Sequence, residues 1–494
     1  MTKREEKRRD SSLRSERQGL FERQRQEKLS RIRELGIDPY GGKYEGAEQA
    51  GDIKAGFKED DESQQAKCAG RIVLLRDIGS LIFMALRDWS GTIQIGLSKK
   101  LLDEQWSLVK LFELGDIIGA AGRLGKTKTG EITIWADSVT LLSKSLLPPP
   151  EKFHGLSDID LRYRQRYVDL WANPEVMERF KRRSSMIATI REFLKSRGFL
   201  EVETPMMQRE AGGAAAKPFM THHNKLDMEL FLRIAPELFL KRLLVGGMEK
   251  VFEINRNFRN EGLSRAHNPE FTMLELYQAY ADYKVMMDLT EELICLLVGK
   301  YCAGEQVQFD EETVNYSRPW RRATYAELLK EYSDCDIDDT NSVRAKATKL
   351  GLNEADMDDA VVVNEVFKAT VEDNLVAPTF VMDYPSALCP LTRRKKDNPR
   401  YAERFELYIG GMELANAYTE LNDPAVQEEN FKIQLRGQEE TMAKMDADFI
   451  TALKYGMPPA GGLGIGIDRL VMVLTGATSI RDVVLFPLLR PVSE

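Results

Sequence analysis

The sequence has few of the residues that hold metals or disulfides. Its five cysteines include no C-x-x-C pair, and its four histidines lack partners at the spacing of a zinc site. No run approaches the roughly 18 uncharged apolar residues of a membrane span, and the first residues are charged. These absences argue against a secreted, disulfide-stabilised or membrane-spanning protein. They favour a cytoplasmic protein with free thiols.

Charge is distributed unevenly along the 494 residues, whose formal net charge is −8. Residues 1–35 contain 12 basic and 7 acidic side chains, whereas the remainder contains 58 and 71. A uniformly acidic protein would be a poor partner for nucleic acid, but a basic arm can concentrate such contacts locally. We therefore expect a charged helix that ends before Gly36, either as a solvated terminus or as a nucleic-acid-binding arm.

Length alone predicts two or three domains. The composition predicts a basic arm over 1–60, a barrel over 61–145, a linker over 146–160 with three consecutive prolines, and a large domain over 161–494. Within the barrel, three strands, a helix at 99–112 and two further strands follow the order of a five-stranded OB-type barrel.

Alternation along the second and third barrel strands predicts which side chains face outward. Phe83 and Gln94 fall on the outer face, where an aromatic ring and an amide suit a single-stranded nucleic acid. The structural alternative is that Phe83 packs under a loop. The two interpretations differ in how exposed its ring should be.

Three blocks in the large domain carry chemically suggestive residues. A helix over 176–194 leads to a short strand that stops at Pro205. In the second block, Arg259 and Glu261 precede His267 and Phe271, so an arginine beside an aromatic strand can bind a phosphate and stack on a ring. In the third, glycine alternates with apolar residues over 462–466 before Asp468-Arg469. It has no Walker lysine, and its bare strand face lets a flat ligand approach the backbone.

In this order the blocks resemble motifs 1, 2 and 3 of the class II aminoacyl-tRNA synthetases, near 193–207, 251–277 and 462–474. The barrel looks like that of the subclass with the lysyl, aspartyl and asparaginyl enzymes. Segments 162–170, 232–238, 252–262, 268–277 and 480–483 are most similar to bacterial-type lysyl-tRNA synthetases. The resemblance implies an α+β multidomain protein, with an N-terminal OB-type β-barrel that binds the anticodon and an antiparallel-sheet catalytic domain with flanking helices.

The resemblance also implies ATP-dependent activation of L-lysine and transfer of the lysyl group to the 3′ end of tRNA(Lys), by a cytoplasmic homodimer that uses Mg²⁺. The matching positions are Glu237, Arg259, Glu275, Tyr277, Asn416 and Glu420 for lysine; Arg259, Glu261, His267, Phe271 and Arg469 for ATP; Glu406 and Glu413 for Mg²⁺; and Phe83 and Gln94 for the anticodon. Arg259 and Arg469 are the implied catalytic residues. No nucleophilic side chain is needed, because positioning and charge neutralisation suffice.

Charge supports lysine as the substrate. Lysine carries two ammonium groups and one carboxylate, so its site should supply more acid than base. Glu275 and Tyr277 are two apart on one strand and share a face. Relatives specific for aspartate or asparagine typically have glutamine where this chain has Glu237, and the resemblance implies that Glu237 contacts the α-amino group.

The chain departs from the usual bacterial pattern beside this site. Ala415 and Ala417 replace glycines, and Met412 stands where arginine is common. We expect the two added methyl groups to tighten the amino-acid site or to change its rate, without altering the pattern of acids.

Three other functions are weighed against lysyl-tRNA synthesis. A paralogue that lysylates elongation factor P would lack the barrel. An aspartyl or asparaginyl enzyme conflicts with Glu237. A non-catalytic RNA-binding relative would have lost a motif arginine or a carboxylate that binds Mg²⁺. The sequence retains both arginines and both carboxylates, at Arg259, Arg469, Glu406 and Glu413.

Overall fold

The computed structural model describes residues 3–148, 156–214, 216–352, 357–435 and 446–491, with side chains described from residue 19 onward except at 434 and 435. The chain divides into two compact units, Met1–Ser157 and Asp158–Glu494. Residues 149–155 of the linker expected over 146–160, which include two of its three prolines, lie outside the described residues. In the described ranges, no helix has both the length and the apolar character needed to cross a membrane.

The first unit is a closed β-barrel with an N-terminal helix. Its elements are α1 (Lys3–Glu34), α2 (Ala50–Ala55), β1 (Gln65–Asp77), β2 (Leu81–Arg87), β3 (Thr92–Ser98), α3 (Trp106–Val109), β4 (Ile117–Lys126) and β5 (Ile132–Ser143). The strand order around the barrel is β1-β2-β3-β5-β4. The expected helix at 99–112 is wrong in extent, because turns closed on the carbonyl of Ser98 occupy its first half.

The alternate apolar side chains of β2 and β3 fill the interior of the barrel. Ile82, Met84 and Leu86 are at most 2% exposed, and the facing residues Ile93, Ile95 and Leu97 are fully buried. The end of α1 is fixed to this barrel by Arg25, which donates hydrogen bonds to the carbonyl oxygens of Ser145 and Leu114, both at 2.9 Å. The period-two pattern of the sequence is therefore the pattern of a barrel with one apolar face.

The second unit is built on a large mixed sheet with helices. Its helices are α4 (Ile159–Arg164), α5 (Arg166–Ala172), α6 (Pro174–Ser196), α7 (Glu237–Val245), α8 (Tyr283–Tyr301), α9 (Tyr325–Ser333), α10 (Thr340–Lys349), α11 (Asp359–Thr370), α12 (Pro424–Leu435), α13 (Ala447–Lys454) and α14 (Ile467–Thr475), with 3₁₀ turns at Glu372–Asn374, Ser386–Leu388 and Ile480–Asp482. Its strands are β6 (Leu200–Glu201), β7 (Met207–Gln208), β8 (Met220–His223), β9 (Met228–Leu232), β10 (Lys250–Phe258), β11 (Glu270–Ala279), β12 (Gln306–Phe309), β13 (Glu312–Asn315), β14 (Arg321–Thr324), β15 (Thr379–Met382), β16 (Arg404–Ile409), β17 (Met412–Thr419) and β18 (Ala460–Gly466).

Eight of these strands form the main sheet, in the order β14-β15-β16-β17-β18-β11-β10-β6. All neighbouring pairs are antiparallel except β14 with β15 and β10 with β6. Residues of α6, α8 and α14 share one hydrophobic core with the central strands. The expected α+β architecture, with an OB-type barrel before a largely antiparallel catalytic sheet, is confirmed.

Candidate active site

The site lies over the centre of the main sheet, where β18 separates β11 from β17. Glu275 of β11 and Asn416 of β17 both pair with Gly464, and Tyr277 and Tyr418 both pair with Gly462. A Cβ atom at Gly462 would collide with the carboxylate of Glu420 and the ring of Tyr277. The glycines thus leave room for side chains that reach over β18 from both neighbouring strands. The sequence had predicted only that a flat ligand could approach this face.

A cluster of buried acids occupies this position. Glu237, at the start of α7, is 8% exposed; Glu275 is 6% exposed and Glu420 only 2%. Burial, and then the nearby charge of Glu237, raises the pKa of Glu275 to about 8. The hydroxyl of Tyr277 donates to Oε2 of Glu275 at 3.5 Å, which confirms that the two residues share a face.

Glu420 is an incompletely satisfied carboxylate. Its Oε2 atom lies 2.5 Å from Nζ of Lys241, but its buried Oε1 accepts no hydrogen bond from any described residue. Burial, reinforced by Glu237 and opposed by Lys241, raises the pKa of Glu420 to about 7. A buried carboxylate oxygen without a donor is costly, so a cationic ligand group would stabilise it.

Lys241 was not among the residues singled out from the sequence. It follows Glu237 by one helical turn and is fully buried, with Nζ 2.6 Å from Oε1 of Glu237. The i,i+4 spacing of Glu237 and Lys241 in the sequence indicated a helical ion pair, but such pairs usually lie on exposed helix faces. Only the fold shows that this one points into the acid cluster.

Arg259 follows β10 and lies beside the aromatic residue that opens β11. Its guanidinium carbon is 5.1 Å from the ring centroid of Phe271. Its Nε atom is buried and makes no hydrogen bond within the described part of the chain. A stacked guanidinium with a free donor is suited to an anionic ligand such as a phosphate or carboxylate.

Arg469, in the first turn of α14, is held by three acceptors. It donates to the carbonyl oxygen of Glu413 at 2.6 Å, to that of Ala266 at 3.4 Å and to Nε2 of His267 at 2.9 Å. Burial and the charge of Arg469 lower the pKa of His267, so its ring is neutral. Glu261 is exposed in the same loop, and its charge opposes that shift.

Glu406 and Glu413 bring two carboxylates together on neighbouring strands. Glu406 accepts hydrogen bonds from the hydroxyls of Tyr384 at 2.6 Å and Tyr408 at 2.8 Å, and pairs with Arg404. Burial raises the pKa of Glu406; Arg404 opposes this shift and Glu413 adds to it. Glu413 remains accessible, with 37% of its side chain exposed.

These carboxylates fit a magnesium ion. Among the described residues, no group of three or more His, Cys, Asp or Glu side chains could hold a metal. Mg²⁺ keeps several waters and is commonly bound by one or two carboxylates together with substrate phosphates. Two close carboxylates, one of them accessible, meet that requirement.

The alanines that depart from the usual pattern point away from the acids. Ala415 is 2% exposed and Ala417 is fully buried, and both belong to the main hydrophobic core. Met412 packs against the same core. Because side chains alternate along β17, these methyl groups lie on the face opposite Asn416. The expected crowding of the amino-acid site has no direct contact to support it.

Asp468, the residue before Arg469, connects three elements. Its Oδ1 atom lies 2.6 Å from Nη1 of Arg183 in α6, and its Oδ2 accepts the backbone N–H of Thr272 in β11 at 2.7 Å. Asp468 is 2% exposed. It therefore links the three sequence blocks structurally rather than facing a ligand.

In the barrel unit, Phe83 and Gln94 lie on the outer face as the alternation predicts. Phe83 makes an edge contact with Trp135 of β5, with ring centroids 5.8 Å apart, and Gln94 donates to the hydroxyl of Thr133 at 2.8 Å. Phe83 thus packs against another strand's aromatic ring and stays half-buried. Trp135, which the sequence interpretation missed, belongs to the same surface.

Comparison with known proteins gives the family. Residues 158–490 match the family described as class II tRNA synthetases (D, K and N), and residues 66–142 match an OB-fold nucleic-acid-binding domain. The first match alone covers more than half of the chain.

Whole-length relatives narrow this assignment. The lysine–tRNA ligase of Carboxydothermus hydrogenoformans is 54% identical, over 94% of this chain and 97% of the relative. That of Moorella thermoacetica is 51% identical, over 95% and 98%, and that of Trichormus variabilis 46%, over 94% and 87%. The chain therefore belongs to the class II tRNA synthetases and, within them, to the lysine–tRNA ligase family. The resemblance stated from the sequence is confirmed.

Proposed function

We propose that this chain is a lysine–tRNA ligase, which activates L-lysine with ATP and transfers the lysyl group to the 3′ end of tRNA(Lys). The observation that carries the proposal is the buried acid cluster, in which Oε1 of Glu420 lacks a donor among the described residues. A substrate with two ammonium groups supplies the missing donors. The names of the relatives support the same substrate.

Within this proposal, the acid cluster binds the ammonium groups at both ends of the lysine substrate. Glu237 binds the α-ammonium, whereas Glu275, Tyr277 and Glu420 bind the ε-ammonium. Asn416 and Arg259 orient the carboxylate towards ATP. Neutral or acidic amino acids would leave buried carboxylates unpaired, and that penalty gives large discrimination.

ATP binds on the side of Arg259 and Arg469. Arg259 contacts the α-phosphate, Phe271 and Arg469 lie on either side of the adenine ring, and Glu261 and His267 contact the nucleotide. Glu406 and Glu413 would hold Mg²⁺, which neutralises charge on the phosphates when bound. The lysine carboxylate attacks the α-phosphorus in line and pyrophosphate leaves, so Arg259 stabilises the charge that develops on the α-phosphate.

The transfer step needs no additional nucleophile from the chain. The 3′ ribose hydroxyl of the tRNA attacks the lysyl carbonyl, and AMP leaves with the bonding electrons. Residues 61–145 act as the anticodon-binding domain through Phe83 and Gln94, residues 161–494 as the catalytic domain, and residues 1–60 as a basic arm. A cytoplasmic homodimer is part of the proposal through family resemblance.

ATP–pyrophosphate exchange, run separately with each of the twenty amino acids, tests the first step. We expect exchange with lysine alone. Exchange with aspartate or asparagine and none with lysine would refute the proposal. Subsequent charging of tRNA(Lys), with transfer to an elongation-factor protein as the comparison, tests the second substrate.

Glu420→Gln tests the acid cluster directly. Loss of one buried charge partner should lower lysine-dependent exchange by roughly a hundredfold, consistent with a few kcal/mol. Glu428→Gln is the matched control, because Glu428 pairs with Lys432 on the exposed face of α12. Equal activity of both variants would mean that Glu420 does not contact the substrate.

A further inference from the structure

Lys241 is a cation in a site that should attract cations. It is fully buried, and its Nζ atom lies 2.6 Å from Glu237 and 2.5 Å from Glu420. Burial alone would lower its pKa, but the two carboxylates outweigh burial and raise it, so the side chain is charged. An ammonium group belonging to the chain therefore bridges two acids assigned to opposite ends of the substrate.

The charges around the cluster balance only when Lys241 is counted. Glu237, Glu275 and Glu420 supply three carboxylates, whereas substrate lysine supplies two ammonium groups. Lys241 is the third cation, and the substrate carboxylate faces Arg259. Without Lys241, one buried carboxylate would lack a counter-charge even when lysine is bound, which is a costly arrangement.

We propose that Lys241 is a positioning residue of the lysine site, whose ammonium group holds Glu237 and Glu420 at a fixed separation. The inference rests on the proposed function, because it assigns Glu237 to the α-ammonium and Glu420 to the ε-ammonium. The separation of the two acids then sets the length of the amino acid that pairs with both. Lys241 thereby favours lysine over its shorter homologue ornithine, without itself contacting the reacting atoms.

Neighbouring groups are consistent with this role. Glu237 and Lys241 lie on one face of α7, whereas Glu420 follows β17, so the bridge joins a helix to the sheet. Gly462 leaves the space in which Glu420 reaches Lys241. The next residue on the helix, Arg242, points elsewhere and pairs with Asp446 and Asp448.

Lys241→Met removes the charge at similar side-chain length, and Arg242→Met removes an ion pair from the same helix outside the site. In lysine-dependent exchange, Lys241→Met should raise KM for lysine roughly tenfold or more, because a buried bridge between two acids is lost. KM for ATP should change less than about twofold, and the preference for lysine over ornithine should fall. Arg242→Met should change neither KM.

Unchanged KM for lysine in Lys241→Met would overturn the proposal. Equal increases in KM for lysine and ATP would also overturn it, since that pattern indicates a general structural defect. Unchanged discrimination against ornithine would refute the spacing role. The unaltered chain provides the separate test of function: no lysine-dependent exchange there would refute the proposed function itself.

A double variant keeps the test decisive if Lys241→Met does not fold. Lys241→Met combined with Glu420→Gln removes one cation and one anion, so the buried charges remain balanced. Its KM for lysine should lie within about threefold of that of Glu420→Gln alone, because coupled residues are non-additive. A further tenfold rise would show that Lys241 acts independently of Glu420 and would contradict the bridge.

Discussion

Arg469 donates from Nη2 to Nε2 of His267 at 2.9 Å, which joins the start of α14 to the loop between β10 and β11. Because a guanidinium only donates, Nε2 must accept, and the ring's proton resides on Nδ1, within 2.8 Å of the Ser264 hydroxyl. Two parts of the proposed ATP site are therefore connected by side chains of the protein itself.

The first prediction concerns the protonation of His267. Burial and the charge of Arg469 lower its pKa below 6.5, so Arg469→Gln should raise it by removing the repelling charge. Histidine NMR titration, with the signal assigned through His267→Asn, measures both values. The same pKa in the parent and in Arg469→Gln would contradict this electrostatic contact.

The second prediction is that lysine binding releases a proton. Glu275 has a pKa of about 8 in the free chain, so at pH 7 it is mainly protonated, whereas an ammonium group favours its ionised form. Calorimetry at pH 7 in buffers of different ionisation enthalpy should show a net release of protons when lysine binds. This release should become small near pH 9. A heat of binding independent of the buffer would refute it.

The same shift has a consequence for stability. The pKa of Glu275 in the folded chain lies above its value of about 4.3 in the unfolded chain. The stabilisation that Glu275 gives the folded state is therefore fully present below about pH 4.3. It is lost as the pH rises through about 8. The parent chain should therefore lose thermal stability between about pH 5 and pH 8, and the Glu275→Gln variant should lose less of it. Thermal unfolding without ligand measures both.

A third prediction separates the barrel from the chemistry. Phe83→Ala and Trp135→Ala should each weaken tRNA charging, since base stacking on an aromatic ring contributes about 1–3 kcal/mol. Pyrophosphate exchange should not change. Leu74→Ala is the control, because Leu74 is a barrel residue that is 54% exposed. Equal losses in charging and exchange would indicate misfolding instead of lost RNA contact.

The fourth prediction concerns the alanine that replaces a usual glycine. Ala417→Gly removes a methyl group from the core and should lower the free energy of unfolding by about 0.5–1 kcal/mol. KM for lysine should remain the same, because the methyl group faces away from the acids. A change in KM above about threefold would show that core packing at position 417 reaches the lysine site.

Much of the local structure could be predicted from the sequence. Period-two alternation identified the inner residues of β2 and β3, and it would have placed Trp135 outward between the buried residues Ile134 and Ala136. The helix expected at 99–112 was too long, because apolar spacing does not distinguish helices from consecutive turns.

The assembly of the site was harder to predict. The shared face of Glu275 and Tyr277 follows from strand geometry alone. Their meeting with Glu237 and Glu420 depends on strand order, and only family resemblance pointed to it. The burial of Lys241 was not predictable, because lysine on a helix is usually exposed and its depth here depends on how α7 packs against the sheet.

The strand order also has a consequence for synthesis of the protein. β18, only seven residues long, is the last strand among the described residues, yet it lies between β17 and β11. Until β18 is made, β17 and β11 each lack the strand that pairs with them on this side, and an unpaired strand edge is open to aggregation. Emergence of β18 seals both edges and brings Asn416 opposite Glu275. We therefore expect substrate affinity to arise only after β18 has been made.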